Sequence, residues 1–373
     1  MKLKQFSHKS IKRAKLQTFK NLAKLVYKME VLTQNERSKI TDELMNCQRP
    51  LFLFHDDPDG LASFLLFYRW KKEGRGFPIK AVPRITIAYL QKIEDYDADK
   101  VFILDIANVD QEFLDLVKVP VVWIDHHQLL ERDKVMYFNS RKRDNLNVPT
   151  PKMCYEIVEQ DLWLAVCGCV GDWYLPEDLL PEFRKKYPDL LPETIKTVEQ
   201  ALFETKVGLI AKIFSFNLKG KTQEVMKAIK VLTRIESPYE LLNQETPKAR
   251  LIYKKFEQVN QKYEELLARA LKNVKKDEIF IFTYTEDQLS LTKDLANELL
   301  YRQPDKIIIL GREKLGELRC SLRSAKYDLS QILKKALIGI QGYGGGHEHA
   351  CGASIKKEDF EIFIENIRNE VKS

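Results

Sequence analysis

Short apolar runs alternate with helical patterns in the first half of the chain. Residues 51–54, 101–104 and 121–124 are continuous apolar runs, which are typical of strands buried on both faces. Residues 61–72 follow the first run with apolar positions on one side of a helix, and a short helix is predicted at 111–117. This alternation predicts an α/β fold with a mostly parallel sheet and helices on both of its faces.

Two more segments belong to this region. Residues 80–89 are predicted to form a further strand. Residues 164–171 are small and apolar, and they suit a tightly packed helix or strand that leads into Asp172.

Helical, charged sequence follows Asp172. Residues 179–204 contain three prolines, which predict short broken helices, and two further helices are expected at 207–218 and 224–234. Residues 247–276 form one long amphipathic pattern, interpreted as a linker helix between two lobes. A coiled-coil partner helix is the alternative, although the heptads are not sustained.

The remaining sequence predicts a smaller α/β domain. Strands are expected at 278–284, 306–310 and 315–322, with a helix at 290–300. At about 100–200 residues per domain, 373 residues suffice for two to three domains. The predicted division is a basic helical extension at 1–47, a first domain with a helical C-terminal part at 48–245, the linker helix at 246–276 and a second domain at 277–373.

Composition narrows the class of protein. The net charge of +7 mildly favours an anionic partner. The basic segment near the N-terminus is either an amphipathic helix packed on the main domain or an arm that contacts phosphates. No run spans a bilayer and the start lacks the apolar block of a signal peptide, so we expect a cytoplasmic protein with no membrane partner. The six cysteines form no paired CxxC set and are expected to be buried thiols.

Acidic and histidine side chains recur at the ends of the apolar segments. Ligands in open α/β sheets lie just outside the carboxyl ends of such strands. Carboxylates and imidazoles without thiolates suit divalent Mn²⁺, Mg²⁺ or Co²⁺. Six ligands match a two-metal centre, which can activate water and stabilise the leaving oxygen of a phosphoryl displacement. The candidate ligands are His55, Asp57, Asp59, Asp105, His126 and Asp172.

Each of these acids also has a structural interpretation. A single acid in this position is a common turn former or helix N-cap, and Asp59-Gly60 before a helix would qualify by itself. Four segment ends with the same chemistry favour the metal site. Asp105 stands alone after a strand in the middle of the sheet, so it is the candidate for a carboxylate that bridges two ions.

A glycine-rich stretch near the C-terminus is the second candidate site. Gly344, Gly345 and Gly346 are consecutive and precede His347. Consecutive glycines let backbone N–H groups approach an anion and form a nest for phosphate. A flexible loop is the alternative, but the stretch runs directly into 350–355, which looks buried.

The order of these motifs resembles the DHH phosphoesterase superfamily, which includes RecJ exonucleases, nanoRNases, pAp phosphatases and cyclic-dinucleotide phosphodiesterases. The residues that carry the resemblance are His55-x-Asp57-x-Asp59-Gly60, Asp105, Asp125-His126-His127 and Gly171-Asp172. The resemblance implies a dimanganese centre that hydrolyses phosphoester bonds. It also implies roles for single residues. Asp105 would bridge the ions, His126 would bind metal, Asp172 would complete the second ion's sphere, and His127 would contact phosphate or act as an acid. Asp125 would orient a histidine.

One position departs from the pattern of many small-substrate members. They carry an acid two residues after the Asp-Gly aspartate, where this chain has Leu61. The acid is supplied earlier, by Asp57, as in the Asp-x-Asp-x-Asp-Gly form of RecJ-like nucleases, with His55 in the first place. This spacing favours a nucleic-acid substrate.

The glycine-rich stretch resembles the Gly-Gly-Gly-His motif of the C-terminal DHH-associated domain. Arg323 and Ser324 lie where that domain has its Arg-Ser element. The resemblance implies that this lobe holds a phosphate or the terminal nucleotide across a cleft. The residues implied are Arg323, Ser324, Gly344, Gly345, Gly346 and His347. His349 could act likewise or be a packed structural histidine.

These patterns together predict a RecJ-like exonuclease that releases nucleotides from single-stranded DNA or RNA or from short oligonucleotides. Catalysis is assigned to Asp105, His126 and His127, with two divalent ions, chiefly Mn²⁺. A phosphoesterase for pAp or a cyclic dinucleotide is one alternative. A replisome scaffold that binds GINS is the other, and a replication or repair partner could dock on the helices at 179–234.

Overall fold

The computed structural model of the chain describes residues 31–80, 84–285 and 289–372. Most of the basic N-terminal segment lies outside these residues, so both interpretations of it stay predictions. The chain divides into two compact units. The first unit holds the residues up to 215 together with 229–243, and the second unit holds 216–228 with the residues from 244 onwards. The domain bounds and the linker role of the long helix stay predictions.

The first unit is built on a five-stranded parallel sheet with the order β2-β1-β4-β6-β7, and β3 pairs with β5 in a separate two-stranded sheet. This confirms the α/β prediction. The strands are β1 (Pro50–His55), β2 (Arg75–Ile79), β3 (Arg84–Ile85), β4 (Lys100–Leu104), β5 (Asn108–Val109), β6 (Val121–Asp125) and β7 (Met136–Asn139).

Helices connect and cover these strands, and α9 and α10 cross the division between the units. Short 3-10 turns lie at Ile87–Tyr89 and Ser140–Lys142. The helices are α1 (Gln34–Met45), α2 (Pro58–Lys71), α3 (Leu90–Tyr96), α4 (Gln111–Leu116), α5 (Thr150–Val158), α6 (Leu162–Gly171), α7 (Leu180–Lys186), α8 (Val198–Glu204), α9 (Lys206–Asn217), α10 (Thr222–Leu232) and α11 (Pro238–Leu242).

Of the predicted strand at 80–89, the described residues form only the two-residue strand β3 (Arg84–Ile85), which is followed by a 3-10 turn. The second sheet strand comes earlier, at β2, where Gly76 and Pro78 hide the strand pattern. Pro is tolerated there because β2 lies at the edge of the sheet. Further on, the Thr86 hydroxyl accepts a hydrogen bond from the Ala88 backbone and caps a 3-10 turn. Residues 164–171 fall within helix α6.

Both faces of the parallel sheet are buried. One face contributes Leu53, Ile103 and Trp123 to a continuous apolar cluster. On the other face, the rings of Phe52 and Phe102 stack with centroids 5.3 Å apart, and α2 packs against them. All six cysteines are buried and free, as predicted.

The second unit contains a mixed sheet with the order β11-β12-β10-β9-β8, in which only β8 and β9 are parallel. Helices α14 and α15 cover one face, and α13 packs on β9 and β10. The elements are α12 (Pro247–Lys272), β8 (Ile279–Thr285), α13 (Thr292–Arg302), β9 (Ile307–Lys314), β10 (Glu317–Arg323), α14 (Leu329–Ala336), β11 (Gly342–His347), β12 (Ala350–Lys356), a 3-10 turn (Lys357–Asp359) and α15 (Phe360–Lys372).

The long helix α12 buries one stripe along its length, as the amphipathic pattern predicted. Its Tyr263 hydroxyl donates a hydrogen bond to the Glu298 carboxylate of α13. Within the described residues, no helix has both the length and the apolar character that crossing a membrane requires.

Candidate functional site

The candidate metal ligands of the first unit lie at one edge of the parallel sheet. The chain passes from β1 to β2 on one side and returns to β4 on the other, so the strand order reverses between β1 and β4. Ligands of open α/β sheets bind at such a point, outside the carboxyl ends of the strands. His55 ends β1 and Asp105 follows β4, which places both at the reversal.

Glycine at position 60 allows the start of α2 to approach β1. A Cβ atom on Gly60 would lie 2.4 Å from the backbone oxygen of His55. The Asp57 carboxylate caps the helix by accepting a hydrogen bond from the Gly60 N–H at 3.1 Å. Asp57 is therefore the N-cap, whereas Asp59 lies in the first turn and is 1% exposed. The close approach brings Asp59 into the site.

Asp105 has a left-handed backbone conformation, with φ 57°. Among non-glycine residues, Asp and Asn tolerate this conformation best. The Asp105 N–H still donates to the Ile124 carbonyl at 3.0 Å, so the chain turns directly after a last sheet hydrogen bond. The Asp105 Oδ1 atom lies 3.3 Å from His126 Nε2, and its Oδ2 atom lies 3.4 Å from His55 Nδ1.

Asp172 arrives from a helix rather than from a strand. A Cβ atom on Gly171 would lie 2.6 Å from the Pro58 side chain, so α6 ends in close contact with the start of α2. This contact places Asp172 Oδ2 3.6 Å from His126 Nε2, and Asp59 Oδ2 lies 3.8 Å from the same nitrogen. All six predicted ligands are thus close to one another.

The ligand atoms form three overlapping groups, each compact enough to hold a metal ion. Asp105 belongs to two of the groups, and so does His126. The groups are His55 with Asp57 and Asp105, Asp59 with His126 and Asp172, and Asp105 with His126 and His127.

The buried carboxylates fit a bound cation. Both side-chain oxygens of Asp59 and of Asp105 are buried and accept no well-aligned hydrogen bond. Burial raises the pKa of Asp59 well above its usual value, and the neighbouring charges of Asp105 and Asp172 raise it further. A buried carboxylate without a partner is costly. Since all the donor atoms are oxygen or imidazole nitrogen, the residues suit a hard or borderline divalent ion.

His126 is oriented by residues outside the ligand set. Burial lowers the pKa of His126, but Asp105, Asp172 and Asp125 outweigh it and raise the pKa to about 10. Its Nδ1 atom lies 2.9 Å from the amide oxygen of Asn147, so Nδ1 carries a proton and Nε2 faces the acids. Arg141 Nε donates to the His126 carbonyl at 2.8 Å.

His127 is held by Asp125, as the resemblance implied. Its Nδ1 atom lies 2.7 Å from Asp125 Oδ1, and its N–H donates to Asp125 Oδ2 at 3.0 Å. Asn139 donates to Asp125 Oδ2 at 3.2 Å and to the His127 carbonyl at 3.1 Å. Burial lowers the pKa of His127, but Asp125 more than offsets this effect and raises it.

Sequence reasoning missed Asn139, Asn147 and Arg141. Asn139 is the last residue of β7, so the rule that found the strand-end ligands could have found it. Asn147 and Arg141 lie in the segment after β7, where no periodicity marks a functional side chain.

The predicted substrate-binding residues lie in the second unit. Arg323 ends β10, and its Nε atom donates to Asn297 Oδ1 of α13 at 2.7 Å. Burial lowers the pKa of Arg323 to about 10, which leaves it charged at neutral pH. The buried Ser324 hydroxyl accepts hydrogen bonds from the Lys326 and Tyr327 backbones, both at 3.1 Å.

The glycine-rich stretch forms β11, an exposed edge strand, rather than a loop. Gly344, Gly345 and Gly346 pair with β12, and only Gly346 among them has a positive φ, of 151°. The three glycines therefore pair with β12 as a strand and do not form the predicted phosphate nest, which would need several positive φ angles. His347 ends this strand and is exposed. His349 is 54% exposed and is not a packed structural histidine.

Comparisons with known proteins agree with this architecture. The DHHA1 domain family matches residues 290–373. No curated protein matches the chain.

Solved structures with low sequence identity share the fold. The RecJ–Mn²⁺ complex from Thermus thermophilus is 15% identical with TM-score 0.64, covering 91% of this chain and 55% of that chain. The DHH domain of a protein described as a member of a family of ribosomal proteins is 16% identical with TM-score 0.63, covering 98% of this chain and 99% of that one. Exonuclease RecJ bound to manganese is 15% identical with TM-score 0.55, covering 91% and 95%.

The chain therefore spans about half the length of the Thermus RecJ and nearly all of the DHH domain of the ribosomal-family protein. The resemblance inferred from the motifs is confirmed at the level of the fold. The chain shares the fold of these RecJ and DHH-domain structures, and its residues 290–373 match the DHHA1 domain family.

Proposed function

We propose that this protein is a metal-dependent phosphodiesterase that releases nucleotides from single-stranded DNA or RNA or from short oligonucleotides. One observation carries the proposal: the two oxygens of Asp105 face two different ligand clusters. Oδ2 lies near His55 and Oδ1 lies near His126. A single carboxylate placed between two clusters is what a pair of metal ions needs as a bridge.

The residues of the first unit divide between two proposed ions, most readily Mn²⁺. His55, Asp57 and Asp105 would hold one ion, and Asp59, His126, Asp172 and Asp105 would hold the other. When bound, such ions supply Lewis-acid chemistry that activates water and neutralises charge on the phosphoryl group. RecJ neighbours are solved in complex with Mn²⁺ and, for the Thermus protein, also with Mg²⁺, which supports a divalent ion of this kind.

The protein's own groups position the substrate and the proton. The hydrogen bond from His127 Nδ1 to Asp125 leaves Nε2 of His127 available. We assign to that nitrogen a contact with the scissile phosphate, at which it can hold or donate a proton. Arg323 and the edge strand with His347 would bind a phosphate of the substrate, with Ser324 fixing the turn after Arg323.

The proposal is tested by following hydrolysis of matched 5′- and 3′-labelled single-stranded DNA and RNA. The reactions contain Mn²⁺ or EDTA, and Asp105→Asn is compared with the wild type. Asn tolerates the left-handed backbone and removes only the charge. Asp133→Asn is the matched control because Asp133 is an exposed acid of the same unit that lies outside the ligand set.

We expect stepwise, Mn²⁺-dependent shortening that survives Asp133→Asn and is lost in Asp105→Asn. Hydrolysis of pAp or a dinucleotide without shortening of longer strands would move the protein to the small-nucleotide alternative. No hydrolysis of any of these substrates would overturn the enzyme assignment and favour the scaffold. Unchanged activity in Asp105→Asn would overturn the bridging role.

A further inference from the structure

One face of the second sheet carries an ordered set of side chains across β10, β12 and β11. In the sheet register, Arg319 lies opposite Ser354, and Ser354 lies opposite Tyr343. Four residues further along β10, Arg323 lies opposite Ala350, which lies opposite His347. Registered partners project from the same face of a sheet. Two parallel rows therefore cross this face, about 14 Å apart at the rise per residue of an antiparallel strand.

The row between them is almost free of side chains. It contains Gly345 opposite Gly352, which lies opposite Ser321. A Cβ atom on Gly345 would meet nothing within 4 Å, and one on Gly352 would meet only the Cys320 carbonyl, at 3.8 Å. Both glycines are exposed. The two rows thus bound a strip whose floor is polypeptide backbone.

The rows supply an aromatic ring and positive charge. The Tyr343 side chain is 73% exposed, and Arg319 is exposed and makes no hydrogen bond or ion pair with the described residues. The nearest acid in the register, Glu317, is already engaged by the Ser354 hydroxyl at 3.0 Å and by Lys356 at 3.6 Å. The free charge of Arg319 is therefore available to an anion.

We propose that this strip binds one nucleotide of a single-stranded nucleic acid, with its base stacked on Tyr343 and a flanking phosphate on Arg319. Exposed aromatic rings beside a basic track are the means by which proteins hold single strands without reading their sequence. The inference rests on the proposed function, because it assigns additional contacts to the same class of substrate. It makes Tyr343 and Arg319 positioning residues that act beyond the phosphate held by Arg323.

The test measures the Kd of a labelled five-nucleotide oligoadenylate for the full-length protein in EDTA. Removing one stacking contact costs about 5- to 150-fold in affinity, so Tyr343→Ala should weaken binding by at least 5-fold. Tyr343→Trp should retain the affinity. Ile338→Ala is the control, since Ile338 is 74% exposed and follows α14, which lies on the opposite face. An oligomer of abasic units should bind wild type and Tyr343→Ala equally.

Arg319→Gln should lower the slope of log K against log salt by about one, as loss of one phosphate contact does. The matched control is Lys334→Gln, an exposed cation on α14.

Hydrolysis of bis(p-nitrophenyl) phosphate with Mn²⁺ reports on the metal centre independently and should be unchanged in every variant. If Tyr343→Ala binds the oligomer as tightly as wild type while hydrolysis persists, the proposed binding strip is refuted and the phosphodiesterase assignment stands. If wild type hydrolyses nothing but Tyr343→Ala still weakens binding, the phosphodiesterase assignment fails and the strip stands.

Discussion

Asp59 and Asp105 are buried beside His126, and the partly exposed Asp172 adds further negative charge there. Without a cation, their repulsion and burial destabilise the folded protein, as the raised pKa of Asp59 shows. If the proposed metal ions bind here, they offset a cost in stability that the metal-free state carries.

This trade-off predicts how Asp105→Asn changes stability. In EDTA the variant should be more stable than wild type by about 1 kcal/mol and unfold at a higher temperature, because one buried charge is gone. At 100 times Kd a bound ion adds about 2.7 kcal/mol to wild type, and the variant should gain much less. Thermal unfolding with and without Mn²⁺ measures both effects. An equal Mn²⁺ shift in both proteins would show that Asp105 is not a ligand.

Asn147 gives a second prediction at this scale. Its amide oxygen fixes the ring of His126, and loss of such a partner costs about 10- to 100-fold in metal affinity or activity. Asn147→Ala should lower Mn²⁺ affinity by that factor in calorimetry, while Asn147→Asp keeps an acceptor and should lower it less. Lys142→Ala, in the same segment, serves as the control. Equal affinities for wild type and Asn147→Ala would refute the role.

At the scale of single residues, one rule predicts much of the candidate site from sequence. Side chains that follow buried strands meet at one edge of a parallel sheet, and this rule brings His55, Asp105 and His126 together. Asn147 follows no strand, and only the folded path of its segment brings it to His126. Sequence patterns cannot supply contacts of that kind.

Among the elements, the edge strand β11 departs most from expectation. Glycine has low strand propensity, so a Gly-Gly-Gly sequence favours a loop or nest. Pairing with the buried strand β12 overrides that preference. The second strand of the main sheet lies at β2 and not within 80–89, because local polarity and Pro78 conceal the strand pattern of β2. The buried strands β1, β4 and β6 are continuous apolar runs, and the sequence predicts all three.

Adjacent glycines of β11 should respond differently to the same substitution. Gly346 has φ 151°, and a Cβ there would lie 2.3 Å from the Ala350 carbonyl, whereas a Cβ on Gly345 meets nothing. Gly346→Ala should therefore lower the free energy of unfolding by about 2 kcal/mol or more. Gly345→Ala should leave it within about 0.5 kcal/mol. Urea unfolding followed by circular dichroism makes the comparison, and equal losses would contradict the strand geometry.

Helix α2 offers a similar prediction for the metal site. Gly60→Ala would force the helix start away from His55 because the added Cβ meets backbone. We expect loss of stability together with loss of Mn²⁺ binding. Ala62→Gly, in the same helix, tests whether weakening the helix alone has this effect, since it should cost about 1 kcal/mol and spare metal affinity. Intact Mn²⁺ binding in Gly60→Ala would contradict the proposed role of the close approach.

For the whole molecule, all six proposed metal ligands belong to the first unit. Binding stabilises the structure that it contacts. Hydrogen exchange should therefore slow on adding Mn²⁺ in β1, β4 and β6, and remain unchanged in β8, β9 and β10. Mass spectrometry of the exchanged peptides measures this. Equal protection of both sheets would show that metal ions also bind elsewhere or couple the two units.

The arrangement of the ligands also has a consequence for the order of events in folding. They come from the ends of β1, β4, β6 and α6 and from the start of α2, so the site is complete only after distant parts of the chain have paired. Contacts of this range form slowly. A metal ion therefore cannot act as an early nucleus, and the mutually repelling carboxylates must converge first. Mn²⁺ should therefore slow unfolding while leaving the refolding rate nearly unchanged, as expected of an ion that binds only after the sheet has formed.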